Sequence, residues 1–310
     1  MSDNLAFYIP EDIPLEVLAY DSKLSQLEVG RAGKLGAIVL RMEYDSHRQR
    51  TVAKEQYSKV PLYTQRVLYL EESLPSMAYL YIISPSGGIL QGDRYRMDIT
   101  LANNALFHLT TQGATRIYRM DKNYATQLVH INVGEGCYFE YIPDQIIPYR
   151  NSRFYQNVSL NVHDNSTLIY SEMVVPGRVG SGESFEYDIC YMKIKAKNQK
   201  GNLRFIDTAI MEPKKRNLKN FGVLEGFDVF GTVYLLSNAI YVKELNDLIN
   251  TMIESTSRVH GGATILPNSS GVMIRLLGSF ASDVRNAIYE VVRISRRVIL
   301  NATFSGIRKG

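Results

Sequence analysis

The sequence has no tryptophan and only two cysteines, Cys137 and Cys190, among its 310 residues. Two cysteines outside a C-x-x-C pair are too few for a disulfide framework or a structural zinc site, so both are interpreted as small core or surface thiols. The chain also lacks a run of about 18 apolar residues that could span a membrane, and its N-terminus lacks the basic and then apolar order of a signal peptide. These absences predict a cytoplasmic protein with no membrane partner.

Neither sign of charge is in strong excess, since 35 Lys and Arg stand against 31 Asp and Glu. Nucleic-acid binding would favour a basic stripe with interleaved aromatic residues, and no such stripe is present. The one basic cluster, at 214–219, is interpreted as a solvated loop. No nucleic-acid partner is therefore predicted.

Enzyme signatures are also missing. The sequence has no nucleophile elbow, phosphate-binding P-loop, dinucleotide fingerprint or zinc-protease motif. The histidines have no i, i+2 or i, i+4 partner, which disfavours a tight metal site built of imidazoles; they are His47, His108, His130, His163 and His260. We predict neither a catalytic function nor a tightly bound cofactor.

What the sequence does contain is mainly β pattern. Residues 1–30 show no clear period and are interpreted as an irregular leader, whereas 31–225 alternate apolar and polar residues in short runs cut by Gly, Asn, Asp and Pro. Strand, tight turn and strand recur at 97–111, 128–142 and 158–172, and more loosely at 192–208. The turn centres lie about 30 residues apart, which favours a β-helical body of stacked strands over a series of ordinary hairpins.

The last part of the chain, 226–310, changes character. A strand at 229–237, a helix at 242–255, a hairpin formed by 260–267 and 271–279, and a helix at 281–300 are predicted from their periods. This β-α-β-β-α order predicts a two-layer α+β unit packed on the body.

Carboxylates in strand-like surroundings are the candidate functional residues. An acid between apolar neighbours is costly to bury unless it is paired, solvated or bound to a cation, although the same acids could simply face solvent. Successive β units each place an acid shortly after the turn, so stacking could align them. The acids are Asp93, Glu140, Asp144, Glu172, Glu183 and Asp207.

Four ordered motifs resemble the hallmark segments of the urease accessory protein D/H family (UreD/UreH). They are SPSGGILQGDRY at 84–95, TTQGATRIYRM at 110–120, FEYIPDQIIPYRNSRF at 139–154 and YSEMVVPGRVGSGESF at 170–185. The segment from Arg258 to Leu300 also resembles the end of that family, so the resemblance covers roughly 60–300. Many relatives have Gly-Gly before the first motif's Asp and Trp at the position of Tyr141, and here this chain departs from them.

The resemblance implies a β-helical, non-catalytic urease maturation factor. It would bridge urease structural subunits to a UreF-type accessory protein and, through that protein, to a UreG-type GTPase, with a homodimer within the assembly. It would also conduct Ni2+ in transit through a water-filled passage. By motif position the resemblance assigns that passage to Asp93, Glu172 and Asp207, with Thr115 as a weaker candidate. Glu140 and Asp144, picked out above from their strand-like surroundings, are also weaker candidates for the passage.

Two other functions are compatible with the same sequence. A purely structural adaptor would hold the partners together while nickel travels elsewhere. A β-helical carbohydrate-active enzyme would instead show two clustered acids in an open groove and act on a sugar polymer without partners.

Overall fold

The computed structural model describes residues 5–22 and 33–307, which form two stacked β-sheets with the two long helices on the outer face of one sheet. The strands are β1 Leu35–Asp45, β2 Arg50–Lys59, β3 Tyr63–Thr64, β4 Ala78–Ile83, β5 Arg94–Ala102, β6 Leu106–Thr111, β7 Thr115–Ile117, β8 Ala125–Val133, β9 Tyr138–Tyr141, β10 Ile146–Pro148, β11 Arg153–Val162, β12 Thr167–Val174, β13 Ile189–Lys197, β14 Leu203–Met211, β15 Val229–Leu236, β16 Val259–Ile265 and β17 Gly271–Gly278. The helices are α1 Leu15–Leu18, α2 Ala239–Glu254 and α3 Ala281–Leu300, with short 3-10 turns at Leu5–Tyr8, Val179–Ser181 and Pro267–Ser269.

Sheet A has the order β14-β13-β11-β8-β5-β1-β2, and sheet B runs β16-β17-β15-β12-β9-β6-β4-β3. Three successive units each place their first strand in sheet A and their second in sheet B. Equivalent strands of these units pair in parallel, as β5 with β8 and β6 with β9. The predicted β-helical stack is therefore confirmed for the turns near 103, 135 and 164.

The looser repeat at 192–208 is not a fourth layer, so that part of the prediction is wrong. Its two strands, β13 and β14, pair antiparallel within sheet A. The repeat is an ordinary hairpin that ends the stack and makes β14 an edge strand. A tight polar turn is common to both arrangements, so the sequence pattern could not separate them.

The main core lies between the two sheets and is built from the inward residues of each alternating strand, such as Met97, Ile131 and Val158. A second core fills the space between the outer face of sheet B and helices α2 and α3. Strand β12 is buried along its whole length because it faces both cores. Cys137 and Cys190 are free and buried, as predicted for small core thiols.

The C-terminal elements agree closely with their predicted positions, apart from α2, which begins three residues earlier, at Ala239. Helix α3 spans Ala281–Leu300 and buries Val284, Ile288 and Val291 against sheet B. Strand β15 pairs with β12, so sheet B runs without a break from the stack into this unit. The predicted boundaries at 30/31 and 225/226 remain predictions.

Of the predicted leader at 1–30, residues 1–4 and 23–30 lie outside the described part of the chain. The segment 5–22 packs on the outer face of sheet A, where Val17 is buried against Tyr155 and Ile189. The basic cluster at 214–219 lies in the connection between β14 and β15, where Lys214 pairs with Asp188. Within the described ranges, no helix has both the length and the apolarity needed to cross a bilayer.

Candidate functional site

A row of polar side chains crosses the otherwise apolar core between the sheets. Alternate residues of a strand point to opposite faces, and on β5, β8 and β11 the inward positions include Tyr95, Gln127 and Gln156. These three residues are register neighbours on adjacent parallel strands. Gln127 Nε2 donates to Gln156 Oε1 at 2.9 Å. Stacking therefore joins them into one polar ladder inside the protein.

The ladder forms one wall of a cavity of about 230 Å3. Tyr141, Tyr170 and Glu172 of sheet B line the facing wall. Ser84, Gln112 and Arg116 also line it and are exposed, so they mark the mouth. A single water needs about 10–15 Å3 of such space, so this polar cavity has room for several.

Glu172 lies in this cavity, and only 8% of its surface is exposed. Gln156 Nε2 donates to Glu172 Oε1 at 2.6 Å, and the Tyr170 hydroxyl donates to the same oxygen at 2.8 Å. Burial raises the pKa of Glu172 to about 7, although these two hydrogen bonds act in the opposite direction and the nearby charge of Asp207 adds to the rise. This carboxyl therefore exchanges a proton near neutral pH.

Asp207 lies on the inward face of β14, beyond Glu172. Its Oδ2 accepts hydrogen bonds from the Tyr234 hydroxyl at 2.6 Å and from Arg275 Nη2 at 2.5 Å. Arg275 also donates to Thr232 Oγ1 at 2.9 Å, and Thr232 is the register partner of Glu172 on the neighbouring strand. Arg275 thus joins Asp207 of sheet A to Thr232 of sheet B, beside the position of Glu172.

Asp93 stands at the opposite end of the ladder, immediately before β5, and is fully buried. Its Oδ1 accepts from the backbone N–H of Lys34 at 2.8 Å, and its Oδ2 accepts from the N–H of Leu90 at 2.9 Å and from the Tyr95 hydroxyl at 3.1 Å. Burial raises the pKa of Asp93, while these donors oppose the rise. Asp93 meets the ladder through Tyr95, which itself lines the cavity.

The glycines of the first motif make this arrangement possible. Gly92 has φ of 75°, a left-handed conformation that strongly favours glycine in the turn before Asp93. A Cβ on Gly88 would lie 2.5 Å from the ring of Tyr118 and 2.7 Å from the carbonyl oxygen of Arg116. These two backbone requirements account for the Gly-rich motif without any role in phosphate binding.

We define the polar path as the series of inward-facing polar residues that follow one another through the core from Asp93 to Asp207. Its members are Asp93, Tyr95, Gln127, Gln156, Glu172 and Asp207. All three acids assigned by motif position lie on it.

The weaker candidates fall in different places. Thr115 and Asp144 line the cavity near its mouth. Glu140 instead points to the other face of sheet B, where Arg296 Nε and Nη2 donate to its two oxygens at 2.7 Å each and His108 Nδ1 lies 2.6 Å away. Burial alone would raise the pKa of Glu140, but the charge and hydrogen bonds of Arg296, with those of His108, hold it at about 2.

Glu183, the other acid picked out from the sequence, pairs with Arg178 outside the cavity. Among the residues that the structure describes, no three or more His, Cys, Asp and Glu side chains form a group suited to hold a metal ion. The acids of the polar path are thus dispersed, with neutral polar groups between them.

Sequence reasoning missed Gln127, Gln156 and Arg275 because it followed carboxylates only. The two glutamines had a detectable signal, since they occupy positions of the same parity as the apolar core residues Val129 and Val158 on their strands. Arg275 had no such signal, because its contact with Asp207 joins strands 68 residues apart.

Comparison with known proteins gives a consistent result. A family model described as "UreD urease accessory protein" matches residues 36–308. The chain is 43% identical over 286 residues to the urease accessory protein UreD of Cenarchaeum symbiosum (strain A), covering 92% of this chain and 100% of the relative. It is 37% identical to UreD 2 of Brucella canis, covering 93% and 95%, and 34% identical to UreD of Yersinia enterocolitica, covering 93% and 90%.

Proposed function

The chain belongs to the UreD family of urease accessory proteins, and on that premise we propose that it conducts nickel to the urease active site while bridging urease to its other accessory proteins. A role in urease maturation follows from the family itself. The conduction of nickel and the bridging of urease to other proteins go beyond what family membership gives, and both are our proposal. The proposed partners are the urease structural subunits, a UreF-type accessory protein and, through it, a UreG-type GTPase.

The observation that carries the nickel proposal is the polar path through the core. Burying polar groups between two sheets is costly unless they are satisfied, and a purely structural core would fill these positions with apolar side chains. Here the middle of the path, from Tyr95 to Glu172, borders a cavity that opens to solvent. Asp93 and Asp207 lie just beyond the cavity, at the two ends of the path. Ni2+ entering the cavity with its water ligands would meet oxygen groups along its way.

The donor set suits transit rather than storage. Several imidazoles or thiolates would retain Ni2+, whereas single carboxylates, amide oxygens and waters bind it weakly and let it exchange. Within the described residues, no metal-holding group of His, Cys, Asp and Glu is present. Weak and separated contacts with Ni2+ would let the ion move from one site to the next.

Neutral variants of the three acids test the proposal. The triple variant Asp93→Asn, Glu172→Gln, Asp207→Asn is expected to lower urease activation at least tenfold in a reconstitution with nickel and bicarbonate. Nickel content per urease active site should fall with activity. A matched triple variant at exposed acids off the path, Asp121→Asn, Asp247→Asn, Glu254→Gln, should activate like the wild type. Full activation by the first triple variant would overturn the nickel path.

The structural adaptor remains the second candidate, and the observation that favours it is that Asp207 is already paired with Arg275 inside the protein. An adaptor needs only its interfaces, so substitutions inside the core would leave nickel loading intact as long as the fold survives. Binding of the triple acid variant to urease apoprotein, measured beside activation, separates the two. Normal binding without activation supports conduction, whereas normal binding with activation supports the adaptor.

A further inference from the structure

The outer face of sheet A lies outside the polar path, and the proposed conduction of nickel gives it no role. Outward residues of β5, β8, β11 and β13 form this face, and the segment 5–22 covers part of it. Phe7 lies over the guanidinium of Arg96, with 3.8 Å between the guanidinium carbon and the ring centroid, and its carbonyl oxygen accepts from Arg96 Nη1 at 2.8 Å. The carbonyl oxygen of Asp12 accepts from the Tyr155 hydroxyl at 3.0 Å.

The covering segment is acidic and apolar. Between residues 5 and 22 it contains Glu11, Asp12, Glu16 and Asp21 and no lysine or arginine. Its apolar anchor Val17 is fully buried. An acidic and apolar segment of the chain itself thus lies on this face, held there by Phe7, Val17 and backbone carbonyl oxygens.

Next to the covered part lies an open groove of about 580 Å3. We call it the lysine groove; the lining residues that give it its character are Arg96, Asp98, His130, Asn132, Asn161, Lys195 and Lys197. Its only acid, Asp98, lies 2.9 Å from both Arg96 Nε and His130 Nδ1. The groove therefore carries an excess of positive charge.

Lys195 and Lys197 supply that excess. They occupy alternate positions of β13 and so point outward together, and no carboxylate of the described residues lies within ion-pair distance of either. Beside them, the edge strand β14 exposes Leu203 and Ile206, at 50% and 52% of their surface. Ile206 is the register partner of Lys195. Free lysines beside exposed apolar side chains on an edge strand form a surface that a partner would complete.

We propose that the lysine groove is a docking surface for an acidic and apolar segment of a partner protein in the urease assembly. The partner's carboxylates pair with Lys195 and Lys197, its apolar side chains cover Leu203 and Ile206, and the amides of Asn132 and Asn161 bind its backbone. The segment 5–22 is the precedent on the same face. The inference rests on the proposed function for the identity of the assembly, and on charge complementarity for the chemistry of the occupant.

Charge reversal in the groove is the test. Affinities of the purified wild-type protein and of Lys195→Glu, Lys197→Glu are measured separately for urease apoprotein and for the UreF-type accessory protein. The double variant should bind one of these two partners at least tenfold more weakly at low salt, and the difference should shrink as salt screens the charges. The partner whose binding weakens is the occupant.

A matched control keeps the result specific. Lys122→Glu, Lys243→Glu makes the same change in net charge at exposed sites away from the groove, and its affinities should stay within twofold of the wild type. Lys195→Arg, Lys197→Arg keeps the charge and should also bind normally. All three variants alter surface side chains, so their unfolding midpoints should match that of the wild type.

Three results would overturn the proposal. Unchanged affinity of the Lys195→Glu, Lys197→Glu variant for both partners removes the groove from the assembly while leaving the proposed function standing. A wild-type dimer that this variant dissociates identifies a second copy of the chain as the occupant. Failure of the wild type to bind either partner removes the proposed bridging and the docking surface with it.

Discussion

Glu172 is a buried acid whose pKa the fold raises to near neutral pH. Burial raises the pKa of this carboxyl from 4.5 to about 7, with Gln156 and Tyr170 holding it in place through hydrogen bonds. Between these two values the folded protein binds more protons than the unfolded chain does. Stability is therefore lost as pH rises through this window, and the loss amounts to about 3 kcal/mol above pH 7.

Glu172→Gln should remove this pH dependence. The amide keeps an oxygen for the hydrogen bonds from Gln156 and Tyr170 but cannot ionise. We expect the free energy of unfolding of the nickel-free wild type to fall by about 3 kcal/mol relative to the variant between pH 5 and 8. Urea unfolding across this range measures it, and parallel curves for the two proteins would contradict a raised pKa.

Glu140 shows the opposite effect of burial, because a fixed positive charge accompanies it. Arg296 is fully buried and donates to both of its oxygens. Glu140→Gln leaves the buried charge of Arg296 with only its longer contact to Glu71, at 3.3 Å, so we expect it to destabilise the protein by about 3 kcal/mol. Urea unfolding at pH 7 measures the loss, with Glu254→Gln on the exposed face of α2 as the control.

Replacing both Glu140 and Arg296 distinguishes the contribution of the ion pair to stability from that of side-chain packing. Glu140→Leu with Arg296→Met removes both charges together, and we expect it to recover part of the stability that Glu140→Gln loses. Urease activation by a folded double variant should be preserved, since Glu140 lies on the face of sheet B opposite the cavity. A loss below about 1 kcal/mol for Glu140→Gln would show that the ion pair is not needed to hold α3 on the sheet.

At the scale of elements, helix α3 packs on sheet B where Val284 of the helix lies against Gly231 and Gly278 of the sheet. A Cβ on Gly231 of β15 would lie 2.6 Å from Val284 Cγ1, and one on Gly278 of β17 would lie 2.8 Å from Val284 Cγ2. Val284 therefore occupies a hollow that exists only because both strands carry glycine there. This fit sets the distance between α3 and the sheet.

A double-mutant cycle tests that fit. Gly231→Ala should destabilise the protein by about 1–3 kcal/mol, the usual cost of overpacking a core. Val284→Ala alone should also destabilise it, because it leaves a cavity. The double variant Gly231→Ala, Val284→Ala should lose less stability than the sum of the losses of the two single variants, because the added methyl group fills the space that the valine vacates. Additive losses in urea unfolding would mean that Val284 and Gly231 do not compete for the same space.

How much of this could be predicted from the sequence depends on how local each feature is. The turns near 103 and 135 follow from local chemistry, since Asn103, Asn104 and Gly136 adopt positive φ. The apolar stripe of α3 follows from a 3.6-residue period. The hairpin at β13 and β14 could not be told from a stacked layer, because turn chemistry does not decide which sheet receives the second strand.

The candidate site was predictable only in its separate parts. Motif position singles out Asp93, Glu172 and Asp207, but the path between them depends on the register of parallel strands and on contacts between the sheets. The chemistry of Glu140 depends on Arg296, 156 residues further along the chain. No local pattern predicts such a partner. The transport role itself remains a prediction.

At the scale of the whole molecule, sheet B joins the stack to the C-terminal unit. Strand β15 continues the sheet beside β12, and helices α2 and α3 cover outward residues of the stack such as Tyr138, Ile169 and Met173. Asp207 of the stack also takes its partners Tyr234 and Arg275 from the C-terminal unit. A shared sheet, a shared core and a shared site predict that the two parts fold together.

Truncation at the predicted boundary tests this coupling. A fragment spanning 31–225 would expose the outward face of sheet B to water and leave Asp207 without Tyr234 and Arg275, so we expect it to aggregate or to lack cooperative unfolding. The full chain should unfold in one transition by calorimetry, with equal calorimetric and van't Hoff enthalpies. A chain of 33–310 lacks only the N-terminal part and should keep one transition, at a lower midpoint because Val17 no longer packs against Tyr155 and Ile189. A soluble fragment 31–225 that unfolds cooperatively would establish the boundary at 225/226 as a true domain border. The whole polar path would then lie in the first unit, and Asp207 would gain its partners Tyr234 and Arg275 only when the second unit docks.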